Sequence, residues 1–104
     1  MDFRFKKDRI KLLYTENKNA QKYPASVVEN FFDAMAIISS VNNERELYSF
    51  KGMRFEKLLG KRGNDNQRSI RLNNQWRLIV SIEKDEIGNY IFIIDIVDYH
   101  KRKK

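Results

Sequence analysis

The sequence predicts an α+β domain in which an N-terminal strand and two helices pack on one face of a small antiparallel sheet. Three observations lead there. Apolar residues recur at helical spacing between Asp8 and Ser40. From Met53 onward the pattern switches to strand-like alternation. One proline and four glycines interrupt 104 residues, so regular structure should dominate. Helices first and strands after segregate the helices to one side of an antiparallel sheet.

Taken in order, Phe3 and Phe5 alternate with Asp2, Arg4 and Lys6, a short strand signal. Asp8 is placed to cap a helix running to about Glu16, with Ile10, Leu13 and Tyr14 on one face. Pro24 suits the first turn of a longer helix to Ser40. Val28, Phe31, Phe32, Met35 and Ile38 form its apolar stripe, read as a core face. Glu44–Tyr48 fits one more helical turn. Met53–Leu58 is a short mixed segment, whereas Gln67–Leu72 and Trp76–Ile82 alternate. Tyr90–Val97 is almost wholly apolar, as in a central strand covered on both faces. Asp85, Gly88 and Asn89 mark the hairpin before it. Leu78, Val80, Ile94, Phe31, Phe32 and Met35 are the expected core. With Ile70, Leu72, Trp76, Leu78 and Val80 turned to the helices, Ser69, Arg71 and Arg77 must point the other way.

A chain of this length forms a single domain, residues 1–104, with one thin core. Hydrophobic residues at 41% and charged residues at 34% suit a folded globular domain. No apolar run approaches the roughly 20 residues needed to span a bilayer. The N-terminus does not read as a secretory signal, so a cytoplasmic protein is expected. The absence of cysteine excludes disulfides, cysteine zinc sites and thiol nucleophiles. The net charge of +7 is uneven: residues 1–50 carry eight Lys/Arg and seven Asp/Glu, residues 51–104 thirteen and seven. A field concentrated in one half points to a polyanionic partner, nucleic acid or an acidic protein, unless it only solubilises the surface. Lys101–Lys104 is a basic tail expected to fray.

Three segments carry more. They are Met53-Arg54-Phe55-Glu56-Lys57-Leu58-Leu59-Gly60, Ser69-Ile70-Arg71-Leu72-Asn73-Asn74-Gln75-Trp76-Arg77, and Asp95-Ile96-Val97-Asp98-Tyr99-His100. In this order they resemble the HigB-type toxins of the RelE/ParE superfamily, including the variant called GraT. With the two helices, the resemblance covers nearly the whole chain. It implies a RelE/ParE-like fold and a type II toxin neutralised by a cognate HigA-like antitoxin with a helix-turn-helix domain. It further implies a ribosome-dependent endoribonuclease that enters the ribosomal A site and cuts the messenger, using neither metal nor cofactor. The RNA's own 2′-hydroxyl attacks the adjacent phosphate, leaving a cyclic phosphate and a free 5′-hydroxyl.

That chemistry needs groups to move two protons and cations to stabilise the phosphorane. His100 is the only histidine, the residue type whose unperturbed pKa lies near neutrality; the plain alternative is an exposed terminal residue. Tyr99 offers a proton or hydrogen bond, or is a sheet-edge aromatic. Arg77 suits two-pronged phosphate contact, or pairs structurally with Asp95 or Glu56. Arg71 shares its face, or is a solvated strand residue. Lys57 adds charge from the neighbouring segment. Arg54, Lys61, Arg62 and Arg68 are expected on RNA. The pattern departs from the family at Arg68, where an aromatic is usual, and in a longer Gly60–Gln67 loop. An arginine there can stack on a base or bind phosphate. A ParE-like toxin that inhibits DNA gyrase without cutting RNA shares the fold, as would a non-catalytic RNA-binding domain.

Overall fold

The computed structural model describes residues 1–58 and 66–99. Strand β1 spans Phe3–Phe5, followed by helices α1 (Asp8–Glu16), α2 (Ala25–Ser40) and α3 (Glu44–Leu47). Strands β2 (Glu56–Lys57), β3 (Gln67–Arg71), β4 (Trp76–Lys84) and β5 (Asn89–Asp98) come after them. The sheet order is β1-β5-β4-β3-β2. Pairing is antiparallel from β2 to β5, whereas β1 joins the free edge of β5 in parallel. The chain leaves β1 through three helices, re-enters the sheet at the opposite edge with β2, and runs back strand by strand to β5, so the parallel contact falls between the first and last strands.

One face of the sheet meets the helices. Ile10 and Leu13 of α1, and Val27, Phe31, Ala34, Met35 and Ile38 of α2, form one cluster with Ile70, Leu72, Leu78, Val80, Ile91, Ile93 and Ile96. Burying a side chain of this size is worth about 1.5–3 kcal/mol each, so this cluster is the main source of stability. Tyr14 bridges the layers, edge-on to Phe3 and Phe31 and stacked on Phe32.

Several sequence expectations shift in detail. Lys7, not Asp8, is the N-cap of α1, without a side-chain cap bond; Asp8 sits in the first turn, where its charge favours the helix dipole. On α2, Val27 and Ala34 are buried, while Val28 and Phe32 are half-buried at the rim of the stripe. Ile94 is also half-buried rather than core. Val80 opposes Ile93 and Ile79 opposes Asp95, which leaves Ile94 as the extra residue of a β-bulge. The bulge resets the parity, and Ile96 returns to the core.

The hairpin between β4 and β5 closes through Asp85, whose Oδ1 accepts from the backbone N–H of Ile87 at 2.9 Å and Gly88 at 3.1 Å. Gly88 adopts φ +151°, a conformation that L side chains rarely take.

Candidate active site

The β3–β4 register sets Arg71 directly opposite Arg77, and β4–β5 sets Val97 beside Arg77. Ile70 and Leu78, one residue away on each strand, face the helices. Arg71, Arg77 and Val97 therefore share the opposite face, as the alternation requires. Two residues after Val97, the Tyr99 ring lies against the Arg77 guanidinium, with Cζ 5.1 Å from the ring centroid. The geometry is that of a cation–π contact.

Arg77 is held at one end. Its Nη1 donates to the carbonyl oxygens of Asn73 at 2.7 Å and Trp76 at 3.0 Å. The Nε–Nη2 edge makes no hydrogen bond to a described residue, and two parallel N–H groups there match two phosphate oxygens. Neither suggested carboxylate claims Arg77 among the described residues. Asp95 is taken by Lys7 at 2.7 Å and Arg9 at 2.8 Å, and Glu56 makes no ion pair with it. Arg71 donates to Oδ1 of Asn74 in the same β3–β4 turn. The backbone N–H of Tyr99 donates to the carbonyl of Gln75 at 2.8 Å, and Gln75 Nε2 donates to Asp98 Oδ2 at 2.8 Å.

Other expected residues are placed differently. Arg68 opposes Val80, on the helix side of the sheet, and its side chain is only 8% exposed. It is bound to Glu44 of α3 at 3.1 Å through both Nε and Nη2. Arg68 thus ties α3 to β3 instead of presenting a cation to solvent. Lys57 opposes Arg68, so β2 directs it away from the arginine face; Glu56, opposite Ser69, is the β2 residue on that face. Arg54 is exposed at the end of a short 3₁₀ turn, with φ +47°. His100, Lys61 and Arg62, the tail Lys101–Lys104, and most of the Gly60–Gln67 loop lie outside the described residues.

The arginine face is not open throughout, since Ser69, Ile79 and Ser81 are buried at its centre. A separate open cleft of 770 Å³ lies on the helix side, between α2 and Ser49–Met53, with Ile70 and Leu72 in its lining.

Sequence reading missed Asn73 and Gln75, whose backbone and side-chain groups hold Arg77 and the end of β5. The signal was present: Asn-Asn-Gln between two strands is turn chemistry, because short amides bond to nearby backbone.

Comparison with known proteins agrees with this architecture. The toxin described as "YoeB/ParE toxin from Agrobacterium tumefaciens" superposes with a TM-score of 0.56 at 15% identity, over 94% of this chain and 98% of that chain. The fold is thus that of RelE/ParE-type toxins. The family described as "RelE-like toxin of type II toxin-antitoxin system HigB" matches residues 3–100. The chain belongs to this HigB-like family and is a type II toxin-antitoxin toxin, which makes a cognate antitoxin its partner. No match was found among the curated proteins. No helix among the described residues is long and apolar enough to cross a membrane.

Proposed function

We propose that this toxin is an endoribonuclease that cuts messenger RNA in the ribosomal A site by metal-independent attack of the 2′-hydroxyl. The observation that carries the reading is the pair Arg71–Arg77, two cations directly opposed on one sheet face with Tyr99 against the second. Like charges in that position repel, and a polyanion is what turns the repulsion into attraction. Arg77 stabilises the charge developing on the phosphorane through its Nε–Nη2 edge. Arg71 adds to the field, and the exposed Arg54 contributes a charge for the RNA backbone. Tyr99 donates a hydrogen bond or proton at the reacting phosphate, and His100 transfers the other proton. Lys61, Arg62 and the basic tail add salt-sensitive attraction to messenger and ribosomal RNA. Arg68 has no contact with RNA in this reading, and Lys57 acts only as distant charge. The antitoxin is a HigA-like helix-turn-helix protein, and a cytoplasmic location follows from a ribosomal target.

Primer extension on messages from translating ribosomes tests the proposal. Expression of the toxin should produce new ends within A-site codons, and co-expression of the antitoxin should abolish them. Growth arrest with intact messages and lost gyrase activity would contradict it and assign the protein to the gyrase-inhibiting toxins.

A further inference from the structure

The β3–β4 turn does more than reverse the chain. Asn73 Oδ1 accepts from the backbone N–H of Gln75 and of Trp76, both at 2.8 Å. The Asn73 carbonyl accepts Arg77 Nη1 at 2.7 Å, and its Nδ2 reaches Ser26 of α2 at 3.3 Å. Gln75 holds the end of β5 twice, by its carbonyl to the Tyr99 N–H and by its amide to Asp98. The two groups that meet on the arginine face, 5.1 Å apart, are thus tethered to the same turn by different residues.

We infer that Asn73 is the positioning residue for Arg77, and Gln75 for Tyr99, so that this single hydrogen-bonded turn sets the spacing of the phosphate-binding edge and the aromatic hydroxyl. The inference rests on the ribonuclease reading above. Its physical basis is that a guanidinium anchored by Nη1 keeps its Nε–Nη2 edge in one orientation. Without the Oδ1 bonds the turn relaxes, the Asn73 carbonyl moves, and the guanidinium samples several orientations. Displacement of a reacting group by about 1 Å can slow catalysis about 10²-fold.

Two experiments test it. The first is a pair of double-mutant cycles read by single-turnover cleavage of a ribosome-bound message at saturating toxin. Asn73→Ala should slow cleavage about 10–10²-fold with little change in the toxin concentration needed for half-saturation. The double variant with Arg77→Ala should be no slower than Arg77→Ala alone, because Asn73 acts through Arg77. Gln75→Leu should behave likewise with Tyr99→Phe. Multiplicative losses in these cycles would overturn the inference, since residues acting independently combine that way. Asn73→Ser, whose hydroxyl bonds the turn more weakly, should recover part of the rate, and it replaces the alanine variant if that one does not fold.

The second experiment is independent of activity. In the free toxin, the Arg77 guanidinium N–H signals should show hindered rotation by NMR; Asn73→Ala should release it, and Asn73→Ser should release it only in part. Free rotation in the unsubstituted protein would overturn the inference whether or not RNA is cut. A wild-type toxin that cuts nothing while Arg77 remains clamped would instead indict the ribonuclease reading alone.

Discussion

Arg71 and Arg77 stand directly opposite each other across the β3–β4 pair, so two positively charged side chains leave the same face of the sheet side by side. Directly opposed side chains have Cβ atoms about 4.5–5.5 Å apart, and like charges there are destabilising. Neither arginine forms an ion pair among the described residues. A fold under no other demand would place a threonine or glutamate at one of these positions. Arg71→Thr should therefore leave stability unchanged or raise it by up to about 1 kcal/mol, while weakening attachment to ribosome-bound messenger. Urea unfolding together with binding at two salt concentrations checks both halves. Lower stability with undiminished binding would show that Arg71 is an ordinary strand residue.

Arg68 carries the opposite expectation. Its charge is spent on Glu44 inside the protein, so its removal should act on stability first. A hydrogen bond to a charged group is worth about 1.5–3 kcal/mol, and Arg68→Leu should cost no more than the lower part of that range because Glu44 is partly exposed and regains water. Glu44→Ala should cost more, since it strands a guanidinium that is only 8% exposed. Chemical denaturation ranks the two; equal, negligible losses would contradict the structural role.

Acid should loosen the β4–β5 hairpin. The hydrogen bond from Arg4, then those from the backbone of Gly88 and Ile87, hold the Asp85 carboxyl below the usual carboxylate range. A carboxyl whose pKa is lower folded than unfolded stabilises the protein above its unfolded value, about 3.9, and loses that contribution as pH falls through the lower, folded value. Asp85→Asn keeps an oxygen for the turn but forgoes the ion pair. It should lower stability at neutral pH and flatten the acid limb between pH 5 and 2, as followed by thermal melts. An unchanged acid limb would show that the Arg4 contact is unimportant in solution.

The antitoxin is expected to mask toxicity. Expression of the toxin alone should arrest growth, and co-expression of the cognate antitoxin should restore it. High-level expression of soluble protein without any growth defect would contradict the assignment as a toxin.

How much of this was legible in the sequence depends on the range of the interactions. The alternation through Ser69–Leu72 and Trp76–Val80 places Arg71 and Arg77 on one face because the pleat has a fixed period, and the sheet obeys it. The bulge at Ile94 is barely legible: Tyr90–Val97 is apolar except for Asp95, and that one charge, on the same parity as the buried Ile91 and Ile93, is the only mark the one-residue reset leaves in the pattern. Lys57 failed by the same single step, because a two-residue strand carries no period to read, and register alone decides that Glu56 faces the arginines. Arg68 sits in an alternating stretch, yet its partner Glu44 is 24 residues away on another element. Pairing at that distance is set by tertiary packing, which local spacing does not encode. The parallel contact of β1 with β5 joins the two ends of the fold and is hidden for the same reason.

The central claim is that Arg77 stabilises charge on a cleaving phosphate, and the rate of the chemical step tests it most directly. In single-turnover cleavage of a ribosome-bound message at saturating toxin, Arg77→Ala should slow the step about 10²–10³-fold, the loss typical of one preorganised donor aimed at a transition state. Arg77→Lys should recover only part of it, because an ammonium cannot offer two parallel N–H groups. A rate equal to wild type for Arg77→Ala, with the fold intact, would contradict the account.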